Sequence, residues 1–326
     1  MKTMKAIRIH TYGKPDVLQY EDAPIPTPAA GEILVQVKAA GINHLDWGMA
    51  GGFFKAIFPI QFPWIPGLEI SGIVAAVGEG VQAFKTGDEV YGITNTGAYA
   101  AYTIVQEALI AHKPASRSFA QAASVPIGAL VAHQGLFEHA QLKAGDTILI
   151  HGGAGAIGAY AIQFAHQQGI RVITTASGVD EQFLRSLGAA VFIDYKTTKF
   201  ETVITEKVDA VFDLVGSDTQ VRSYPLIKTG GYLLAANQPP VQAEADAYGV
   251  KAIMVQMHPD AKFLSELAQA IDNGKYKVNL AKTYPLHEAA AAWKDVARNS
   301  SRPPAEEINK GVEVEKKSGK IVLSID

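Results

Sequence analysis

The stretch of sequence that says most about the fold is Ile148-Leu149-Ile150-His151-Gly152-Gly153-Ala154-Gly155-Ala156-Ile157-Gly158. Its last six residues fit G-x-G-x-x-G, a pattern that is weak by itself in a chain with 30 glycines. Here the pattern leaves an apolar strand, predicted at 147–150, and begins a helix, predicted at 157–167. Its glycines allow a tight turn and let backbone N–H groups approach a pyrophosphate, which the helix N-terminus attracts. We therefore predict a dinucleotide-binding turn; a plain glycine-rich turn is the alternative.

Strands and helices alternate around this turn. Short apolar runs predict further strands at 171–175, 191–193, 210–215 and 232–236. A helix predicted at 181–187 ends at Gly188, a typical C-terminal residue, and the alanine-rich stretch 119–137 predicts two helical pieces before the turn. Alternation of this kind favours a parallel sheet with helices on both faces.

The remaining parts of the chain have a different pattern. Before residue 119, strands rich in Val and Ile are predicted at 6–9, 32–39, 72–77 and 89–93. Gly and Pro turns separate them, which is typical of a β-barrel-like domain. Near the end come two amphipathic helices, at 262–272 and 287–298, and a polar stretch, 299–317, interpreted as an exposed loop or short edge structure. A last strand, at 319–323, has no sheet of its own nearby, so we expect it to rejoin the N-terminal domain.

Composition limits the classes of protein that fit. The chain has 326 residues, 48% hydrophobic and 19% charged, which is ordinary for a globular protein and long enough for two domains. A net charge of −3 offers no basic surface to nucleic acid. The absence of cysteine excludes disulfides, a thiolate nucleophile and cysteine-ligated zinc. Residues 1–10 lack the apolar run of a signal peptide, and no run reaches the ~20 apolar residues of a membrane span, so we expect a cytoplasmic protein.

The end of the second strand of the alternating region bears on the cofactor. An NAD-specific site usually carries Asp or Glu about 20 residues after the glycine turn, bonded to the ribose 2′-hydroxyl. Ser177 stands there instead, and its hydroxyl can donate to a 2′-phosphate that a carboxylate would repel. We therefore predict NADPH, with Arg185 or Lys196 as the cation for that phosphate. Asp180 and Glu181 lie close by, and a plain turn residue at Ser177 is the alternative.

Six further stretches, with the glycine turn, resemble the medium-chain dehydrogenase/reductase superfamily, and within it the zinc-independent quinone oxidoreductase branch. They follow the family's order along nearly the whole chain: AAGINHLDW (39–47), PGLEISGIV (66–74), VGEGV (77–81), FKTGDEVYG (84–92), SLGA (186–189) and GKIVL (319–323). The resemblance implies a GroES-like β-barrel catalytic domain, built from the N-terminal part plus a C-terminal segment, with an inserted Rossmann parallel-sheet domain. We expect residues 1–122 and 270–326 in the catalytic domain, residues 123–269 in the NADPH-binding domain, and the active site in the cleft.

Two of these stretches bear on metal binding. Zinc-dependent members of the family carry a Cys in the first stretch and a His after the glycine of the second. Here those positions are Asn43 and Leu68. Leu cannot bind a metal, and the chain has no cysteine for the usual ligand set, so we expect no metal. Histidines such as His44 and His151 are expected to be surface or core residues.

The loss of zinc changes the chemistry that the resemblance implies. Alcohol oxidation needs a Lewis acid, whereas a quinone or the activated C=C bond of an enone takes a hydride more readily. The implied activity is NADPH-dependent hydride transfer to an apolar quinone or α,β-unsaturated carbonyl. We expect Asn43 to lie near the nicotinamide and hydrogen-bond the acceptor oxygen, and Trp47, Phe53 and Trp64 to wall the substrate pocket. A turn-forming Asn43, and aromatic residues in the core or a mobile loop, are the alternatives.

Other site residues rest on the resemblance alone. Tyr195 matches a family Tyr near the adenosine end of NADPH, Asn237 follows a strand whose end approaches the nicotinamide, and Leu214 neighbours the cofactor ribose. The full set expected to bind the cofactor is Gly153, Ala154, Gly155, Ala156, Ile157, Gly158, Ser177, Tyr195, Leu214 and Asn237. Two positions depart from the family: Val131 replaces a Thr, and Ala101 replaces a Glu.

Three other functions are weighed against the reductase. A non-catalytic NADPH-binding sensor or structural protein is one alternative, because the sequence shows no evident proton donor. In the reductase, Tyr12, Tyr91, Tyr99 and solvent are the candidates for that donor. A zinc-type alcohol dehydrogenase would need a tightly held metal, and an RNA-binding role has no basic patch behind it.

The resemblance also implies a homodimer, paired through an edge strand at 232–236 or 251–255.

Overall fold

The computed structural model describes residues 2–299 and 318–326. Its contacts divide the chain into two compact units. Unit 1 comprises Met1–Pro126 with Pro259–Asp326, and unit 2 comprises Ile127–His258. Apart from Asn299, the polar stretch predicted as a loop or edge structure lies outside the described residues.

The described strands, numbered in chain order, are β1 Thr3–Arg8, β2 Gln19–Pro24, β3 Glu32–Gly41, β4 Glu69–Val77, β5 Glu89–Ile93, β6 Tyr102–Gln106, β7 Ile110–His112, β8 Thr147–His151, β9 Arg171–Ala176, β10 Val191–Asp194, β11 Val208–Asp213, β12 Ile227–Ala235, β13 Lys251–Met254, β14 Leu280–Pro285 and β15 Lys320–Ser324. The α-helices are α1 His44–Ala50, α2 Phe119–Ala122, α3 Pro126–His133, α4 Ala156–Gln167, α5 Glu181–Ser186, α6 Phe200–Val203, α7 Asp218–Ser223, α8 Gln242–Tyr248, α9 Ala261–Asp272 and α10 Ala289–Asn299. A π-helical stretch, Gln134–His139, continues α3. Within the described ranges, no helix is both long enough and apolar enough to cross a membrane.

Unit 1 is built on a seven-stranded sheet with the order β14-β15-β3-β4-β5-β7, in which β6 also pairs with β3. The last strand of the chain, β15, lies antiparallel to β3, with Leu323 opposite Ala40. Ile321, Val322 and Leu323 are buried. Burial of this apolar run therefore joins the C-terminal segment to the N-terminal domain, as predicted.

Unit 2 contains a six-stranded parallel sheet with the order β10-β9-β8-β11-β12-β13. Its central strand β8 is buried along Ile148–Ile150, as expected for a parallel strand with both faces covered. The predicted fold class is therefore confirmed. The prediction that 232–236 could supply an edge strand is wrong, because β12 lies between β11 and β13; β13 lies at one edge of the sheet and β10 at the other.

Helix α9 decides where the second boundary between the units falls. The phenol of Tyr91 donates to the carbonyl oxygen of Leu264 in α9 at 2.6 Å. Asp272, at the end of α9, accepts hydrogen bonds from the backbone N–H groups of Ala115 and Ser116 at 2.9 and 2.8 Å. The whole helix therefore packs within unit 1, whereas the predicted boundary at 269/270 would cut through it.

Candidate functional site

The glycine turn, residues 152–158, joins β8 to α4 in unit 2. Gly152 has a φ of +76°, which favours glycine. The backbone N–H groups of Gly152 and Gly153 both donate to the carbonyl oxygen of Thr175 at 3.1 Å, so the turn is fastened to the end of β9. Gly155 is the N-cap of the 12-residue α4. The partial positive charge of this helix N-terminus therefore lies at the turn.

The three motif glycines differ in the space around them. A Cβ on Gly153 would lie 2.0 Å from Thr174 Oγ1, and a Cβ on Gly158 would lie 2.5 Å from the carbonyl oxygen of Gly152. A Cβ on Gly155 would meet only that same oxygen, at 3.4 Å. Packing of the protein itself requires Gly153 and Gly158, whereas Gly155 leaves open space at the helix N-terminus. That space suits a pyrophosphate approaching the backbone.

The surroundings of Ser177 include a carboxylate that was not predicted there from the sequence. Ser177 follows β9 and is buried. A carboxylate oxygen of Asp194, at the end of β10, lies 2.7 Å from where a Cβ on Gly178 would be. Asp194 also accepts a hydrogen bond from the backbone N–H of Lys196 at 3.0 Å. The predicted 2′-phosphate subsite therefore needs a cation to offset this negative charge.

The two cations predicted for that subsite, Arg185 and Lys196, differ in whether they already form an ion pair. Arg185 Nε donates to Glu181 at 2.8 Å, one turn earlier in α5. Lys196 is exposed and forms no ion pair with another described residue. Its neighbour Tyr195 is 51% exposed. Lys196 is therefore the more available of the two cations.

A second loop of unit 2 brings two predicted cofactor residues together. Asn237 Nδ2 donates to the carbonyl oxygen of Leu214 at 3.2 Å. Asp213, buried at the end of β11, accepts hydrogen bonds from the backbone N–H groups of Val215 at 3.0 Å and Gly216 at 2.8 Å. This buried carboxylate thus fixes the loop that carries Leu214, a role that was not predicted from the sequence.

His151, just before the glycine turn, is a core residue. Its Nδ1 lies 2.9 Å from Thr175 Oγ1, and its Nε2 lies 3.0 Å from Ser223 Oγ. Since Ser223 gives its own hydrogen to the carbonyl oxygen of Thr219 at 2.7 Å, it accepts the hydrogen of Nε2. Burial, and then the charge of Arg222, lower the pKa of His151 to about 3. Both ring nitrogens of this neutral imidazole are used within the core.

In unit 1, Asn43 lies over a buried ion pair. Lys320 Nζ is 2.7 Å from Glu69 Oε2, and the two side chains are 4% and 0% exposed. Asn43 Nδ2 donates to the same Glu69 oxygen at 3.2 Å, and Asn43 Oδ1 accepts a hydrogen bond from Lys320 Nζ. The backbone N–H of Asn43 donates to Asp46 Oδ2 at 2.8 Å, which caps α1. The side chain of Asn43 is therefore held by charged partners, and Asn43 is also the N-cap residue of α1, in a capping box with Asp46.

Asp46 extends this cluster into the core. Its Oδ2 accepts a second hydrogen bond from Tyr99 at 2.8 Å, and Trp293 Nε1 donates to the Tyr99 oxygen at 3.3 Å. Asp46 Oδ1 is buried and has no hydrogen-bond partner within residues 2–299 and 318–326. Burial raises the pKa of Asp46 to about 7, although its two hydrogen bonds and Lys320 oppose the shift. We call Asn43, Asp46, Glu69, Tyr99 and Lys320 the Asn43 network.

The three aromatic residues predicted to wall a pocket lie in unit 1 in different environments. Trp47 and Trp64 are partly buried against the hydrophobic core, and Trp64 also pairs through its backbone with Ile9. Phe53 is 74% exposed, with its ring centroid 6.2 Å from that of Trp47. Trp47 and Phe53 are therefore neighbours, whereas the backbone of Trp64 is fixed by its pairing with Ile9.

The tyrosines considered as proton donors are mostly committed elsewhere. Tyr91 and Tyr99 are fully buried, and they donate to Leu264 and Asp46 respectively. Neither can pass a proton directly to an acceptor, so this prediction is wrong for both. Tyr12 is partly exposed and accepts a hydrogen bond from the backbone N–H of Ile60 at 3.0 Å. Tyr12 and solvent remain the candidates.

Metal ligands are not grouped in the part of the chain that the structure describes. No three His, Asp or Glu side chains in residues 2–299 and 318–326 lie close enough together to hold a metal ion. At the two positions where zinc-dependent relatives have ligands, the structure places Asn43 in its ion-pair contacts and a partly buried Leu68. Neither is a zinc ligand of the usual kind.

Comparison with known proteins adds to this geometry. Two family models match the chain: "Alcohol dehydrogenase GroES-like domain" at residues 29–115 and "Zinc-binding dehydrogenase" at residues 187–302. The chloroplastic NADPH-dependent alkenal/one oxidoreductase of Arabidopsis thaliana is 34% identical over 316 residues, 91% of this chain and 78% of that protein. The structure of the quinone oxidoreductase from Coxiella burnetii has a TM-score of 0.81 at 30% identity, covering 100% of both chains. A mycobacterial structure complexed with NADPH has a TM-score of 0.82 at 30% identity, covering 98% of this chain and 99% of that one.

The fold and the two sites define an oxidoreductase class in which a parallel-sheet dinucleotide-binding domain interrupts a GroES-like domain. The chain belongs to the medium-chain dehydrogenase/reductase superfamily, in the zinc-independent quinone oxidoreductase-like branch. This confirms the resemblance seen in the sequence. The word zinc in the description of one family model does not extend to this chain, which has no cysteine and has Asn43 and Leu68 at the ligand positions.

Proposed function

We propose that the protein is an NADPH-dependent reductase that transfers a hydride to a quinone or an α,β-unsaturated carbonyl without zinc. The observation that carries the proposal is the glycine turn, where only Gly155 among the motif glycines leaves room for a ligand at the N-terminus of α4. The printed names of the relatives, an NADPH-dependent alkenal/one oxidoreductase and a quinone oxidoreductase, support the class of acceptor.

The cofactor would be held by residues of unit 2. Residues 153–158 would bind the pyrophosphate, Ser177, Tyr195 and Lys196 the adenosine end, and Leu214 and Asn237 the ribose and nicotinamide. NADPH rather than NADH is supported by Ser177 in place of a carboxylate, by the available Lys196 and by the NADPH complex of the mycobacterial relative. Against it stands the carboxylate of Asp194 beside Gly178, which makes Lys196 the decisive side chain.

Asn43 would act on the acceptor. The bound reduced nicotinamide supplies the hydride. Once the hydride reaches the acceptor carbon, negative charge develops on the acceptor oxygen, and an N–H of Asn43 would donate to that oxygen and stabilise it. Trp47 and Phe53 would cover the apolar part of the acceptor. Solvent or Tyr12 would deliver the proton that completes the reduction.

Stopped-flow mixing of the protein and NADPH with a panel of quinones and enones tests this function. We expect acceptor-dependent loss of the reduced-nicotinamide absorbance, unchanged after dialysis against a chelator. Cofactor binding without turnover of any acceptor would instead favour a non-catalytic NADPH-binding protein. One tightly held zinc per chain, found by metal analysis, would favour a zinc-type alcohol dehydrogenase.

Two further properties stay predictions. A homodimer paired through β13 would be seen as a dimeric mass in light scattering at micromolar concentration, and a monomeric mass would count against it. The cytoplasmic location is an expectation from the sequence, which fractionation of the source cells would check.

A further inference from the structure

The side chain of Asn43 is held on both of its polar atoms by oppositely charged groups. Oδ1 accepts a hydrogen bond from the Lys320 ammonium, and Nδ2 donates to Glu69 Oε2 at 3.2 Å. These charged partners come from β15 and β4, which flank β3, the strand that leads into Asn43. The two strands that flank β3 therefore both supply a charged side chain to Asn43, two residues after the end of β3.

This arrangement permits one orientation of the Asn43 carboxamide. If the amide were flipped, its N–H groups would face the Lys320 ammonium and its oxygen would face the Glu69 carboxylate, so both contacts would become repulsive. In the observed orientation one N–H of Nδ2 is used by Glu69. The second N–H has no partner within residues 2–299 and 318–326. Asn43 is therefore fixed as a donor with one N–H to offer, and its only acceptor atom already faces Lys320.

We propose that Lys320 and Glu69 are positioning residues that act through Asn43 and commit it to hydrogen-bond donation toward the acceptor oxygen. This inference rests on the proposed function, because it assigns Asn43 to the acceptor. It also sets a specificity: the site selects acceptors whose hydride uptake places negative charge on an oxygen. A quinone and an enone both satisfy that condition.

The ion pair is poorly explained by stability alone. Both charged side chains are almost completely removed from water, and desolvation of two charges often cancels their attraction, so apolar residues of similar volume can stabilise as well. A role in orienting Asn43 gives a reason for charge at both positions. It also explains why the pair shares a single carboxylate oxygen, Glu69 Oε2, with the Asn43 amide.

A double-mutant cycle between Lys320 and Asn43 tests the proposal. The variants are Asn43→Ala, Lys320→Met and the double variant, with Lys262→Met on the exposed face of α9 as the matched control. Removal of one donor to a developing oxyanion costs about 100-fold in kcat, so we expect losses of about that size in each single variant. The double variant should be no worse than Asn43→Ala within about twofold, because Lys320 has nothing left to orient. Lys320→Arg should recover much of the activity.

The same cycle gives the results that would overturn the proposal. If Lys320→Met lowers kcat by the same factor with Ala at position 43 as with Asn, the two losses are additive and Lys320 serves only the fold. If Lys320→Met does not fold, the cycle is repeated with Glu69→Gln, which keeps the hydrogen-bonding shape and removes the charge. Additive losses there overturn the proposal equally.

A second readout separates this proposal from the proposed function. In protein with 15N-labelled asparagine, the side-chain NH2 signals of Asn43, assigned by their loss in Asn43→Ala, should shift or merge in Lys320→Met and stay in place in Lys262→Met. Unchanged signals in Lys320→Met overturn the positioning role even if the wild type is active. If the Asn43 signals shift in Lys320→Met but the wild type reduces no acceptor, the orientation of Asn43 is upheld and the reductase function is ruled out.

Discussion

The glycine turn of unit 2 and the Asn43 network of unit 1 reach a defined geometry by opposite means. The turn is made of consecutive residues, and its shape comes from backbone hydrogen bonds and from glycines that have no room for a Cβ. The network is made of side chains from residues between 43 and 320, and its shape comes from buried charge. The difference teaches that one site depends on steric fit and the other on protonation and counter-ions, so they should fail under different perturbations.

Replacement of Asp46 by Asn should change the free energy of unfolding more than any other substitution in these two regions, and the change should depend on pH. Burial raises the pKa of Asp46 from 3.8 to about 7, so between those values the folded protein holds a proton that the unfolded chain has lost. Wild-type stability therefore falls as the pH rises from about 4 to 7 and is level above that. Asn keeps an acceptor for Asn43 N–H and Tyr99 O–H but has no charge. The free energy of unfolding of Asp46→Asn, relative to wild type, should rise over this window by up to about 4 kcal/mol.

Urea unfolding at a series of pH values measures that difference. Asp22→Asn, at an exposed ion pair with Lys5, is the control and should show little change with pH. A difference between Asp46→Asn and wild type that is constant from pH 4 to 8 would contradict the charge-based account of this network.

The glycine turn should respond to a methyl group rather than to pH. In Gly158→Ala the new Cβ would lie 2.5 Å from the backbone oxygen of Gly152, which cannot move aside easily. We therefore expect the free energy of unfolding to fall by about 1–3 kcal/mol and cofactor binding to be lost as well. In Gly155→Ala the Cβ has room, and the melting temperature should stay near that of wild type. NADPH affinity should nevertheless fall, because the methyl group fills the ligand space.

Calorimetric melting and fluorescence titration with NADPH separate these two variants. Gly145→Ala is less suitable as a control, because Gly145 has a φ of +92° although it is open. Ala243→Ser, at an exposed position of α8 in the same unit and outside the turn, is the better one. Equal loss of stability in Gly155→Ala and Gly158→Ala would show that the space at Gly155 is not reserved for a ligand.

How much could be predicted follows from the same contrast. Three features could be predicted from the sequence: the glycine turn, the alternating strands and helices, and the return of strand β15 to the N-terminal domain. Each depends on consecutive residues or on a periodic apolar pattern. The Asn43 network could not be predicted, because no local pattern says that Glu69, at the start of apolar β4, and Lys320, at the start of apolar β15, neutralise each other. A charge of each sign at the head of a buried strand is the one signal that could have suggested the pair. The role of Asp213 was hidden for the same reason.

His151 should show the opposite pH dependence to Asp46, on the unit 2 side of the comparison. Its pKa falls from 6.5 to about 3 on folding, so the unfolded chain binds the extra proton. Stability is complete above pH 6.5 and falls as the pH drops toward 3. At pH 5 the loss should be about 2 kcal/mol, and His151→Asn should remove this slope even though it loses the contact with Phe200, whose ring centroid is 4.6 Å away.

Urea unfolding between pH 5 and 8 checks the slope, with the exposed His258→Asn as the control in the same unit. An unchanged slope in His151→Asn would mean that another group is responsible for the acid sensitivity of the protein.

The smallest effect is expected at Lys196, where neither steric fit nor burial decides the outcome. The exposed ammonium group is proposed to offset the Asp194 carboxylate and to bind the 2′-phosphate of NADPH, an interaction that solvent weakens. Lys196→Met should therefore raise the KM for NADPH by about threefold to tenfold, equivalent to roughly 1 kcal/mol, and leave the KM for NADH unchanged. Steady-state kinetics with both cofactors measures this, and Lys199→Met, an exposed lysine three residues later, is the matched control. An equal rise in both KM values would place Lys196 away from the 2′-phosphate. In that case the subsite at Ser177 would have no cation to offset the Asp194 carboxylate, and its affinity for NADH would be as high as its affinity for NADPH.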